Sequence, residues 1–363
     1  MLVLSWLALA GCRSPLAEEQ VDGARHLYGE VEAKSDGIAR VVIPVEAGES
    51  SFLATVQPRD ARRWAYVHRL LDPDGLELVA ARELTLSDFY KTNAVYPGPA
   101  PTLNWPVSDA DAPLVAGDYV LEVAVVDDDD RRVDEPVRLD VLLARDADLG
   151  VGQLDVMLIY TDGLEADEEL VAAVEAASAQ WAGIYGEAGI DVRFETVVSG
   201  EAGLLAPGED ERYVGLTADT PLRSVRVVLS EVIELYGGGV LGLAGDIPGP
   251  LVPASTSAVQ LSLGYLAGPD GIFDAQEIRI MAETLAHEAG HQLGLYHPAQ
   301  GPRRGPWDAL DDTPQCRGFA ACEGDLGSNL MYPYTICDTD DCVVQNQLTE
   351  DQASVLHRAV ATR

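Results

Sequence analysis

Leu285 to His297 reads L-A-H-E-A-G-H-Q-L-G-L-Y-H, and the second half of the chain is organised around holding that stretch. His287 and His291 are four residues apart, so on a helix they stand one turn apart on one face and can share an ion. Glu288 lies beside the first of them, close enough to handle a metal-bound water without being a ligand. Gly294 can end the helix because it takes φ > 0 without a Cβ clash. The turn it permits brings His297 back as a third nitrogen ligand. Three imidazoles leave one tetrahedral position open, which is the arrangement of a catalytic zinc rather than a structural one. The plain alternative is a polar helix face beside a satisfied core histidine. Three ligand-type residues, a base and a glycine, all in register, argue against it.

The pattern HExxHxxGxxH resembles the metzincin metallopeptidases. The resemblance implies a turn carrying a methionine beneath the metal, and Ser328-Asn329-Leu330-Met331-Tyr332-Pro333 fits it. It further implies a zinc endopeptidase acting on protein or peptide substrates. His287, His291 and His297 would ligate one Zn²⁺, Glu288 would be general base toward a zinc-activated water, and Met331 would floor the site. Some metzincins carry a tyrosine two residues after the methionine. Here that place is Pro333, and Tyr332 and Tyr334 flank it as candidates for an oxyanion or substrate contact. Asp311-Asp312-Thr313-Pro314, with the His-Pro step after the third ligand, resembles the pappalysin-like branch.

Gly242-Leu243-Ala244, followed by Ile247-Pro248-Gly249, is similar to the cleft-edge strand of the matrix metalloproteinases. Such an edge binds substrate by strand addition, through main-chain hydrogen bonds that do not depend on sequence. An internal strand with a Gly-rich loop would read the same way. The active helix has its own start signal, Asp274 as cap and Glu277 three residues on. Thr349 and Gln352 repeat that signal before a last helix.

At 363 residues the chain has room for about two domains. A formal net charge of -36 argues against nucleic acid and against a polybasic membrane patch, and reads as a solvated surface. No apolar run reaches membrane-spanning length. Residues 1–11 form a short apolar segment ending at Leu9-Ala10-Gly11-Cys12, which resembles a bacterial lipobox with Cys12 as the lipidated residue. The missing positive n-region leaves an ordinary secretory segment, or a start codon upstream of Met1, as the competing readings. Cys316, Cys322, Cys337 and Cys342 remain, an even set that fits disulfides in an oxidising compartment. Of three connectivities the local pairs, Cys316 with Cys322 and Cys337 with Cys342, are expected. A four-cysteine zinc site would need closer spacings. The expected protein is exported and monomeric, and is lipid-anchored at the cell envelope or secreted. Its membrane contact is through the anchor alone.

The expected fold class is an N-terminal all-β sandwich followed by an α/β (α+β) metzincin-like zincin domain. Residues 12–36 carry few apolar side chains and read as a tether. Residues 37–145 show short strands and turn chemistry, as in an immunoglobulin-like or jelly-roll accessory domain. From 150 to 363 strands alternate with helices. Leu154 to Tyr160 is a buried strand, and Leu170, Val174, Ala177, Trp181 and Ile184 mark one face of a helix that Gly189 breaks. Asp127 to Asp130 reads as a hairpin tip, and His26, His68 and His357 as surface or packing residues. Asp308, Asp311 and Asp312 could hold a calcium ion, though turn residues before a proline look the same. Two other functions stay open. One is a surface-anchored binding lipoprotein with a non-catalytic zinc site, the other a zinc amidase acting on cell-wall peptides.

Overall fold

The computed structural model describes residues 16–81, 89–145, 149–235, 238–267, 271–299, 307–314, 319–338 and 341–363. Cys12, with the apolar segment before it, and Cys316 lie outside the described residues. The first half holds β1 (Ala17–Val21), β2 (Ala24–Val31), β3 (Ile38–Val45), β4 (Ser51–Pro58), β5 (Trp64–Leu71), β6 (Glu77–Ala80), β7 (Phe89–Tyr90), β8 (Thr102–Trp105), β9 (Gly117–Val126), β10 (Arg132–Val133) and β11 (Val137–Ala144). One five-stranded sheet runs β1-β2-β11-β4-β8, and a second runs β10-β9-β5-β6 with β3 also paired to β9. Phe52, Val56, Leu139 and Val141 from the first sheet share one apolar core with Val41, Ile43, Val67 and Leu121 from the second.

The first sheet departs from simple inside–outside alternation. Successive residues of a strand face opposite sides, so Phe52 and Ala54 enter that shared core while Leu53 between them points away. Leu53, Leu142 and Ala144 instead join the core of the second half, beside Leu293, Leu295 and Val360. A sheet covered on both faces is buried residue after residue, as β4 is from Ser51 to Val56 and β11 from Leu139 to Ala144.

Residues 17–31, read from composition as part of a tether, are two strands of that sheet. β1 is almost wholly exposed and is held through its antiparallel pairing with β2. Main-chain pairing needs no apolar side chains, so composition carried no sign of it. In β2 the buried side chains include Arg25, paired with Glu49, and His26, whose ring lies between Glu19 and Asp140 at 3.0 Å each. The expected hairpin tip is present, with Asp127 Oδ1 accepting from the amides of Asp129 and Arg131.

The second half comprises β12 (Gly152–Tyr160), α1 (Glu168–Glu187), β13 (Ile190–Val198), α2 (Arg212–Thr217), β14 (Ser224–Ser230), β15 (Glu234–Leu235), β16 (Gly238–Gly239), β17 (Gly242–Ala244), β18 (Val259–Ser262), α3 (Leu263–Leu266), α4 (Ala275–Gln292), β19 (Trp307–Asp308), α5 (Phe319–Leu326), β20 (Cys337–Asp338), β21 (Asp341–Cys342) and α6 (Glu350–Arg358). Its main sheet has the order β13-β12-β14-β18-β17. The first four strands are parallel, and β17 closes the edge antiparallel to β18. Val174, Ala177 and Trp181 on α1 are fully buried against this sheet and α4. Gly189 takes φ 79°, and a Cβ there would lie 2.4 Å from the Gly150 carbonyl, so the helix stops. Tyr185 of α1 donates its hydroxyl to the Ala286 carbonyl at 2.8 Å, which ties α1 to α4 one residue before His287. No described helix is long and apolar enough to cross a membrane.

Candidate metal centre

α4 begins with a complete capping box: Asp274 accepts from the Gln276 and Glu277 amides, and Glu277 accepts from the Asp274 amide. Its buried face is Met281, Ala282, Leu285 and Ala289. After Leu293 the chain turns at Gly294, with φ 112°, and the amides of Gly294 and Leu295 close onto the carbonyls of His291 and Gly290.

That turn brings His297 to the two helical histidines. Its Nε2 lies 3.1 Å from Nε2 of His287 and 3.0 Å from Nε2 of His291. Nδ1 of His287 is 2.7 Å from the Leu330 carbonyl, and Nδ1 of His291 is 2.6 Å from the Leu295 carbonyl. A carbonyl only accepts, so both rings carry the proton on Nδ1 and present a bare Nε2 lone pair to the centre. Burial drives His287 down to about 4 and His291 to about 3, and holds His297 well below its usual value. Three neutral imidazoles therefore converge, and His297 can donate to only one of the two lone pairs facing it.

A cation resolves that conflict. Tetrahedral zinc with bonds of about 2.0–2.1 Å would separate its nitrogens by about 3.3 Å, close to the spacing seen. The donor set fits zinc. Among the described residues this triad is the only group of three or more His, Cys, Asp or Glu side chains near enough to share an ion.

Met331 lies fully buried under the helix. A Cβ on Gly290 would lie 2.8 Å from its Sδ, so the glycine inside the motif makes room for the sulfur. The Met331 turn is locked from α6: Asn329 and Gln352 exchange amide hydrogen bonds at 2.8 and 3.2 Å, and Asn329 Oδ1 also accepts from the Met331 amide. The Leu330 carbonyl that orients His287 is thereby fixed. Sequence reasoning missed this lock, since Gln352 was visible only as a capping residue.

Glu288 is buried, and desolvation pushes its carboxyl up to about 8 against the pull of the Ala244 amide. A cleft of about 360 Å³ opens beside it, between Leu241 and Gly242 of the sheet edge, Thr284 and His287 of α4, and Tyr332 and Tyr334. The two tyrosine hydroxyls are 3.3 Å apart, and burial holds that of Tyr332 well above its ordinary value. Glu283, unnoticed in the sequence, also lines the cleft and is paired with Arg279 at 2.8 Å. A larger cavity, about 730 Å³, opens between α1, α4 and the approach to α6, and touches none of the three histidines or Glu288.

β17 passes directly over α4. A Cβ on Gly242 would lie 2.7 Å from Glu288 Cγ and 2.8 Å from Thr284 Cγ2, so only glycine fits. Gly242→Val is expected to overpack this crossing, displacing Glu288 or the edge and costing about 1–3 kcal/mol of stability in thermal melts. Metal content, measured by elemental analysis, stays at the wild-type value.

Cys337 and Cys342 form a disulfide across β20 and β21. Cys322 is also disulfide-bonded. His357 donates to or accepts nothing at the centre: its Nε2 is 2.7 Å from the Ala188 carbonyl. Of the carboxylates considered for calcium, that of Asp308 accepts from Thr313 at 2.5 Å and that of Asp312 accepts from the Asp351 amide at 2.9 Å. The calcium reading gains no support.

Asp308 is buried, and desolvation raises it to about 6. Its folded value exceeds that of an unfolded aspartate, so the native state holds the extra proton between about pH 4 and 6. The contribution of this group is complete below about pH 4 and is lost as pH rises through 6. Asp308→Asn is thus expected to gain about 3 kcal/mol over wild type at pH 7.5 and to lose that advantage at pH 4. Thermal melts at the two pH values check it.

No protein-family model matches the chain. It is 32% identical over 85 residues to a protein named extracellular metalloprotease from Verticillium alfalfae, covering 21% of this chain and 29% of that one. It is 30% identical over 130 residues to extracellular metalloprotease 1 of Coccidioides posadasii, covering 32% of this chain and 44% of that one. The chain therefore spans less than half the length of these curated relatives. Among solved structures, metalloproteinase-II from Bacteroides fragilis aligns at 14% identity over 61% of each chain, with a TM-score of 0.32. A zinc-dependent peptidase from Methanocorpusculum labreanum aligns at 15% identity over 44% of this chain and 91% of that one, with a TM-score of 0.29. Values this low establish no common fold.

Proposed function

We propose that the protein is an exported zinc-dependent endopeptidase of metzincin type, nearest in its motifs to the pappalysin-like branch. The observation that carries this is the convergence of three neutral imidazole nitrogens beside the buried carboxyl of Glu288, at the foot of a cleft walled by a sheet edge. The relatives named as extracellular metalloproteases support the reaction class and export. In this reading residues 150–363 are the catalytic domain, residues 37–145 a β-sandwich accessory domain, and Cys12 the lipid attachment at the cell envelope. The enzyme works as a monomer on protein or peptide substrates.

Zinc, when bound by His287, His291 and His297, acidifies water and polarises the scissile carbonyl. Glu288 takes a proton from the attacking water at its carboxylate and hands it to the departing amine nitrogen. Burial favours the protonated carboxyl, while a dication nearby favours the carboxylate, so the group is balanced between its two duties. β17, the terminal strand of the sheet, offers its main chain to an extended substrate. The Tyr332 and Tyr334 hydroxyls face the cleft as donors to the developing oxyanion. Met331 supports the centre from beneath and does no chemistry.

Incubating the zinc-loaded chain with casein, and separately with cell-wall peptides and simple non-protein amides, tests the reading. Cleavage of casein at internal bonds is expected. Release of product from the non-protein amides alone would mean an amidase.

A further inference from the structure

The N-terminal unit grips the supports of the metal centre without entering its cleft. No residue before β12 lines the cleft among the described residues. Three contacts nonetheless reach the site from that side. Leu53 and Asn104 are opposite partners on β4 and β8, so their side chains share the face turned to the second half. Asn104 is 3% exposed, and its Nδ2 lies 3.3 Å from where a Cβ on Gly294 would be. Gly294 is the residue that turns the chain from His291 to His297, and the next carbonyl, that of Leu295, orients His291. Asn104 and Gln292, which follows His291 directly, line one small cavity there.

The second contact is Asn93. Its amide donates to the Ile247 carbonyl at 3.2 Å and its side chain donates to Asp246 at 3.1 Å. These residues follow the cleft edge β17, and the same Ile247 carbonyl accepts from Tyr296, the neighbour of His297, at 3.1 Å. The third is a parallel pairing of β7 with β19, on the segment between His297 and Met331.

We propose that the N-terminal unit is a permanent brace of the metal centre, not a pro-segment that must leave, with Asn104 and Asn93 as its positioning residues. Asn104 backs the turn that delivers the third ligand. Asn93 holds the loop that continues the cleft edge. The inference rests on the metal-centre reading.

The test uses the full chain loaded with zinc, and follows metal loss to an excess of chelator, with no substrate present. Near-UV circular dichroism checks that each variant is folded. Asn104→Ala is expected to lose metal about tenfold faster than wild type, the size of effect typical of groups that orient ligands. Asn104→Leu, which restores volume against Gly294, should return retention toward wild type. Asn93→Ala should keep its metal and raise KM severalfold with kcat little changed, a split that general destabilisation does not produce. A second arm replaces residues 146–148 with a site for a specific protease and cuts there. The two halves are expected to co-elute with metal retention unchanged. Departure of the N-terminal half with a rise in peptidase activity would overturn the brace and make the unit a pro-segment. Equal metal loss in wild type and Asn104→Ala would overturn it as well. A wild-type chain that takes up no metal would sink the metal reading and the brace together.

Discussion

Glu288→Gln is expected to keep one metal ion per chain and to lower kcat by about 10²–10⁴-fold, the range typical of a lost general base. Gln is nearly isosteric, so the packing of Glu288 beneath Gly242 survives. The residue is no ligand in this account, so the three histidines hold their ion unchanged. What disappears is a carboxylate that can take and return a proton. Metal analysis beside steady-state kinetics measures both quantities on one preparation. A fall in metal content equal to the fall in kcat would show that Glu288 supports the centre structurally instead.

His291→Ala is expected to abolish stoichiometric zinc after dialysis, and peptidase activity with it. His291 is the most enclosed of the three ligands, and its ring is fixed at Nδ1 by the Leu295 carbonyl. Removing it leaves two imidazoles, too few for the three-ligand arrangement of a catalytic zinc. The loss also shows in stability. A ligand that binds only the native state at a thousandfold excess over its Kd adds about 4 kcal/mol. Zinc should therefore raise the melting temperature of wild type and leave that of His291→Ala where it was. A variant that retained full zinc and its thermal response would remove His291 from the ligand set.

What the sequence made legible was local. Asp274 and Glu277 lie three residues apart and signal a helix start that needs no tertiary information, and the structure has the capping box there. Gly294 is the only residue type that turns cheaply at φ 112°, so the helix end was also visible. The apolar face of α1 followed from its spacing, because burial of Val174, Ala177 and Trp181 is a property of one helix. Gly290 was overlooked although it stands inside the motif, since nothing nearby in the chain shows that Met331 must fit against it.

The rest is long-range. β1 and β2 looked like a tether because their order comes from main-chain pairing, from charged partners such as Glu49 and Asp140, and from a core formed with distant strands that only Leu27 and Val31 enter with large side chains. The lock between Asn329 and Gln352 spans 23 residues, and Asn93 meets Asp246 across 153. No periodicity encodes such a pair. The place of β17 at the sheet edge agrees with the resemblance of Gly242-Leu243-Ala244 to a cleft-edge strand, whereas three residues by themselves carry no strand order.

The central claim is that His287, His291, His297 and Glu288 form one metal-dependent peptide-cleaving site. The most direct measurement is mass-spectrometric reading of a proteome-derived peptide library exposed to the zinc-loaded chain, beside its Glu288→Gln variant. The account predicts internal cleavage by the first alone, lost on chelation and restored by added zinc. A folded, zinc-loaded chain that cuts no peptide, or cuts equally well as Glu288→Gln, would contradict it.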